Sequence, residues 1–101
     1  MDDLLRLKER AFSDCPQGKE LWIQDGTIVR NLKGLAAALK KQDNFSFTYH
    51  VNDDHHKNDY AKWVMDVLGD RDLCSRLLKA KNEKKEFQRV VEERILELEI
   101  A

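Results

Sequence analysis

Little in this sequence constrains the chain covalently or marks it for a dedicated chemistry. Among 101 residues there are two cysteines, one proline and four glycines. Cys15 and Cys74 have no CxxC spacing, and cytosolic thiols are normally reduced. They read as a loop thiol beside Pro16, with no base partner in view, and a small core residue. Each of the four glycines is accounted for by a turn, a helix end or a close helix contact, so no Gly-rich loop remains to cradle a phosphate. No apolar run approaches the ~20 residues that span a bilayer. The start, Met1-Asp2-Asp3-Leu4-Leu5-Arg6, is charged and amphipathic and lacks a signal peptide's apolar core, which predicts a soluble cytoplasmic protein away from membranes. No charge of one sign prevails either. The chain carries 18 Lys and Arg against 19 Asp and Glu, which argues against a globally basic nucleic-acid binder.

What is present is enough for one small core. Apolar residues make up 42% of the chain and charged ones 37%, so one domain over residues 1–101 with heavily solvated helices is expected. Residues 2–12 predict a helix with Leu4, Leu5, Lys8 and Phe12 on one face. Pro16 and Gly18 stop it. Asp25-Gly26 between Leu21-Trp22-Ile23 and Ile28-Val29 predicts a two-residue hairpin turn. That turn pairs Ile23 with Ile28 and Trp22 with Val29, and Trp22 is expected in core or edge packing rather than as an exposed platform. Asn31 predicts the N-cap of a helix carrying Leu32, Leu35, Ala36 and Leu39.

Residues 45–51 admit two readings. Phe45, Phe47, Tyr49 and Val51 alternate with polar residues, which favours a strand. A short helix from Asp43 would instead align Phe47, His50 and Val51. A polar loop follows from Asn52 to Lys57. Asn58 caps the next helix, whose stripe is Tyr60, Trp63, Val64 and Val67. Gly69 ends it and Asp70 caps another, with Leu73, Cys74, Leu77 and Leu78 inward. A bend near Asn82 precedes a terminal helix over about 83–100. Its apolar face of Phe87, Val90, Val91, Ile95 and Leu98, widened by Leu96 and Ile100, suits a core or a homodimer. The fold class expected is α+β, mainly helical, with an Asp-Gly hairpin packed on several helices.

The stretch Tyr49-His50-Val51-Asn52, Asn58-Asp59-Tyr60-x-x-Trp63-Val64-x-Asp66-Val67-Leu68-Gly69-Asp70-x-x-Leu73 resembles a family of uncharacterised small domains. They occur mainly in archaea and in some bacteria, with the pattern YHV…NDFxxWI–D–LGD–LA. The resemblance covers about residues 20–78. Tyr60 stands where the pattern has Phe, and Cys74 where it often has Ala. It implies a domain core and a helical reading of residues 45–51, and it brings no activity.

All three histidines fall in one region, and His50, Asp53, Asp54, His55, His56 and Asp59 are of metal-ligating type. His50, His55, His56 and Asp54 are the candidate ligands. However, three of them are adjacent in a loop and no HExxH spacing fixes them on one face, so a solvated turn is favoured and no cofactor is expected. His50 is expected to bond a carboxylate such as Asp59 and orient the loop. Without a nucleophile or oxyanion site, His50 and Asp59 do not make a case for an enzyme. Lys33, Lys40, Lys41 and Lys57, or Lys79, Lys81, Lys84 and Lys85, form two lysine clusters, both interrupted by Asp43, Glu83 and Glu86. A helix-turn-helix over 31–52 would have a Phe/Tyr-rich second element, poorly suited to reading bases. The favoured reading is a non-catalytic protein-interaction module binding an unknown protein through His50, Asn52, Asn58, Asp59 and the exposed side of Trp63. The alternatives are a nucleic-acid-associated regulator and a metal- or small-ligand-dependent enzyme at the His50–His56 loop.

Overall fold

The computed structural model describes residues 2–53 and 56–101. The first helix, α1 (Asp2–Phe12), has the expected span, but it is rolled. Leu7 and Ala11 face inward, whereas Leu5 is exposed. The cause is a pair of anchors on either side of that stripe. Lys8 Nζ donates to the carbonyls of Glu99 and Ala101 at 3.2 and 3.4 Å, and Arg10 donates to the carbonyl of Val67. Residues 8 and 10 lie on opposite flanks of the line through 7 and 11, so satisfying both turns Leu5 outward.

The hairpin forms one residue out of the expected register. Strands β1 (Leu21–Trp22) and β2 (Ile28–Val29) pair Leu21 with Val29 and Trp22 with Ile28. The loop is Gln24-Asp25-Gly26, closed by Ile23 N–H to Thr27 O at 2.8 Å and Gly26 N–H to Ile23 O at 2.9 Å. Asp25 Oδ1 accepts from Thr27 N–H at 2.9 Å, and Gly26 has φ +95°. This is the three-residue loop with a left-handed glycine rather than the two-residue turn. A one-residue slip exchanges the faces. Leu21, Ile23 and Val29 now turn toward the core, and Trp22 is 64% exposed, which corrects its expected packing.

Asn31 Oδ1 accepts from Gly34 N–H at 2.8 Å and starts α2 (Leu32–Lys41), which buries Leu32, Leu35, Ala38 and Leu39. Gln42 and Asp43 follow. Asp43 Oδ1 takes the Ser46 amide at 2.9 Å, and that cap decides residues 44–50 as helix α3 (Asn44–His50). Phe47, His50 and Val51 are buried together, as the helical alternative requires, with Ser46 beside them. The chain then extends into a second small hairpin, β3 (Val51–Asn52) with β4 (Lys57–Asn58), where only a loop was expected. Asn58 Oδ1 caps Ala61 N–H at 3.0 Å, opening α4 (Asp59–Trp63). Residues Val64–Leu68 continue it as one π-helical turn, and Gly69 stops it at φ +72°.

Asp70 Oδ1 then caps Leu73 N–H at 3.0 Å and begins α5 (Arg71–Lys79). Leu73 and Leu77 are buried, but Cys74 is half-buried and Leu78 is exposed, so the expected stripe is narrower by half. In α6 (Lys84–Glu99), Phe87, Val90, Val91 and Leu98 are inward and Ile95 is partly so. Leu96 and Ile100 are exposed and do not widen the buried face. Arg94 lies inward among them, contrary to the apolar pattern.

The result is an α+β domain, mainly helical, with α6 laid along α2 and braced by α1 and α5. Phe47, Tyr60 and Phe87 meet at its centre, with the Phe47 and Phe87 rings edge-on at 5.1 Å. No helix among the described residues is long and apolar enough to cross a membrane.

Candidate functional site

His50 ends α3 with its imidazole pointing into the gap between the first hairpin and α4. Its Nε2 accepts from the Gln24 backbone N–H at 2.9 Å, and its Nδ1 lies 2.8 Å from Asp59 Oδ2. A backbone amide can only donate. Nε2 is therefore the unprotonated nitrogen, and Nδ1–H donates to the carboxylate. The ring is stacked obliquely on Tyr60 at 5.5 Å and edge-on to Tyr49 at 5.1 Å, and the residue is 5% exposed. Ser46 Oγ, one turn before His50, donates to Gln24 Oε1 at 3.0 Å. Together these bonds fasten the hairpin tip to α3 and α3 to the first turn of α4.

The other expected binding residues are likewise engaged. Asn58 spends Oδ1 on its cap, and its Nδ2 reaches Leu77 O at 3.4 Å. Asn52 Nδ2 donates to Thr48 O at 3.1 Å. Trp63 is 6% exposed and its indole N–H donates to Lys19 O at 2.8 Å, so the exposed side expected of it does not exist. Asn58 and Asp59 are the members of this group that line a cleft. A depression of about 510 Å³ runs beside them, with Lys57, Lys62, Met65, Cys74 and Leu78 on its walls, and His50 does not line it.

No group of three His, Cys, Asp or Glu among the described residues is placed to hold a metal ion. Both His50 nitrogens are taken, and His56 is exposed at φ +49°. The candidate ligands Asp54 and His55 lie outside the described residues. Burial pushes both cysteine thiols up, assisted by Glu20 at Cys15 and by Asp66 and Asp70 at Cys74, so neither is primed as a thiolate. Tyr60, buried and bonded to Gln42 Oε1 at 2.7 Å, is pushed up as well.

Three of the eight lysines expected to gather into basic patches are drawn on by the protein itself. Lys33 pairs with Glu99 at 3.5 Å and lies over the Phe12 ring. Lys57 sits 4.4 Å over the Tyr49 ring and 3.5 Å from Asp59. Lys84 donates to Gln42 O at 2.7 Å, where α2 ends.

Two features escaped the sequence pattern. The first is an outward aromatic set: Phe45 and Tyr49, one turn apart on α3, are 66% and 53% exposed, and Trp22 stands on the hairpin whose tip α3 holds. Their i, i+4 spacing, on the face away from Ser46, Phe47 and His50, was the available signal once α3 is helical. The second is a charge network with a buried centre at Arg94 and Asp70. Arg94 grips Asp70 through Nε and Nη2 at 2.8 and 3.0 Å and reaches Glu97 at 3.0 Å, while Arg76 grips Glu97 and Asp72. The Arg76 fork holds the Glu97 carboxyl below its usual range, with Arg94 adding to the effect.

No family model, no curated protein and no solved structure matches the chain.

Proposed function

We propose that this protein is a non-catalytic, cytoplasmic protein-interaction module whose contact face is the outward side of the first hairpin and α3. The observation that carries the reading is the display of Trp22, Phe45 and Tyr49 in a small domain whose other large aromatics are mostly enclosed. Exposed aromatics of this kind supply rigid contact area at low entropic cost and are enriched at binding hot spots. His50, Asp59, Asn58 and Trp63 then act as the frame that sets the angle of α3, and Asn52 borders the face. The proposal includes kinship with the mainly archaeal family that residues 20–78 resemble, which brings no activity with it.

The nucleic-acid alternative has less support. α2 and α3 are consecutive helices, but the outward residues of α3 are Asn44, Phe45, Thr48 and Tyr49, without a cation for phosphate. An enzyme at the histidine loop would need an imidazole free to reach substrate, and that of His50 is bonded on both sides. The test is capture from nuclease-treated lysate with the wild-type chain and with Phe45→Ser/Tyr49→Ser, whose folding is checked by circular dichroism. A partner that survives nuclease and is lost with the double variant supports the module. A partner lost only to nuclease, or one retained by the double variant, overturns the reading.

A further inference from the structure

Between α1 and the start of α5 lies an open cleft of about 490 Å³ lined by three arginines, Arg6, Arg10 and Arg71. Arg10 is fixed. One nitrogen donates to the carbonyl of Val67, and the other lies against Gly69, where a Cβ would come within 2.7 Å of Nη1. Arg6 lies one turn earlier on α1. Neither Arg6 nor Arg71 makes a hydrogen bond or ion pair among the described residues. Leu7 forms the apolar part of the wall.

Three carboxylates also border the cleft, and two of them are already spent. Asp70 is buried, paired through both oxygens with Arg94 and capping Leu73. Asp72 is held by Arg76 through both oxygens. Glu97 shares the same two arginines, so that network keeps one negative charge, and with Asp3 it leaves the three cleft arginines one charge in excess.

We propose that this cleft binds a phosphate monoester dianion, gripped by Arg6 and Arg71 and seated on Arg10. A carboxylate fills one guanidinium fork with its two oxygens. A phosphate monoester offers three terminal oxygens and nearly two charges at neutral pH, more than one fork can satisfy, which suits the two unengaged forks of Arg6 and Arg71 beside a fixed Arg10. The source is a phosphorylated chain or a free phosphate, and both present the same group. This site is separate from the aromatic face, and its test does not depend on that face having a partner.

The experiment is a ¹⁵N amide titration of the full chain with inorganic phosphate, with a phosphoserine peptide and with its unphosphorylated form. The proposal expects saturable shifts at Arg6, Arg10, Gly69 and Arg71. Loss of two charge-assisted contacts in Arg6→Gln/Arg71→Gln should weaken binding by at least about 10-fold. The charge-matched control Arg30→Gln/Lys81→Gln should bind as the parent does. Tighter binding of the phosphoserine peptide than of inorganic phosphate assigns the source to a phosphorylated chain, and equal binding assigns it to free phosphate. Shifts that do not saturate, equal weakening in the control pair, unchanged binding in Arg6→Gln/Arg71→Gln, or equal binding of the unphosphorylated peptide each overturn the proposal.

Discussion

Arg94→Met is the substitution that tests the account of the fold most sharply. Methionine is close to arginine in length and apolar, so it suits a position where the side chain is nearly enclosed among Val90, Val91 and Leu98. Volume is not what would be lost. The loss falls on Asp70, whose carboxylate is almost fully buried and would keep only the Leu73 amide. Removing one partner of a buried pair costs about 3–5 kcal/mol, because the remaining charge is left without compensation. A domain of this size has a total stability of roughly 5–15 kcal/mol, so the variant should be marginal. Urea denaturation followed by circular dichroism reads the change: with m near 1–3 kcal/mol/M, the midpoint should fall by roughly 2 M. Converting both partners separates the two explanations. Arg94→Met/Asp70→Asn keeps a capping side chain and removes both charges, and should recover much of the loss, since replacing both members of a buried pair is often nearly neutral. A single-variant cost below about 1 kcal/mol would show that the network is held chiefly by solvent-exposed members such as Asp72 and Glu97. A double variant as unstable as the single would show that the arginine's packing matters and its charge does not.

Other consequences follow from the same geometry. His50→Phe retains a ring but orphans the Gln24 amide and leaves Asp59 Oδ2 to Lys57 alone, for an expected cost of about 1–3 kcal/mol and faster hydrogen exchange at Gln24; unchanged protection at Gln24 would refute the latch. Glu97 has a folded-state pKa below its ordinary 4.5, so its contribution is fully present above that value and is lost as pH falls through the lower, folded one. Glu97→Gln should therefore flatten the acid limb of a stability-against-pH curve below 4.5, and an unaltered limb counts against the Arg76 contact as its source. Tyr60→Phe leaves Gln42, whose Nε2 has no partner among the described residues, without its remaining side-chain bond. It should cost more than Tyr60→Phe/Gln42→Leu, in which both polar groups are gone, by about 1 kcal/mol on thermal melting.

How far the sequence revealed this molecule depended on whether a feature was local. Caps at Asn31, Asn58 and Asp70 and the stop at Gly69 stand where their residue types require, because each acts within three or four positions of itself. The roll of α1 did not, because it is set by carbonyls of Val67, Glu99 and Ala101, far along the chain. The hairpin slipped by one because Asp25-Gly26 serves both a two-residue turn and a three-residue loop, and the choice between them fell to which of Trp22 and Val29 the core could accept. Residues 45–51 satisfied both periodicities, and a single side chain, Asp43, separated them. At the site, the bond from His50 to Asp59 was legible from a nine-residue separation. The Gln24 amide on its other nitrogen was not, and that amide turns an accessible-looking imidazole into a buried strut. Arg94 was hidden in a heptad-like run because nothing in α6 itself reveals the carboxylate waiting on the cap of α5.

The two hairpins are each only two residues per strand, and this limits how a partner can engage them. A sheet edge recruits a peptide by offering several successive free N–H and C=O groups for a new strand to copy. Edges this short present too few to hold one, and for the same reason they offer poor templates for edge-to-edge aggregation. Recognition on the Trp22 face would therefore go through side chains, by shape and ring contact, so a partner would be selected for what its residues are and not for an ability to lie extended.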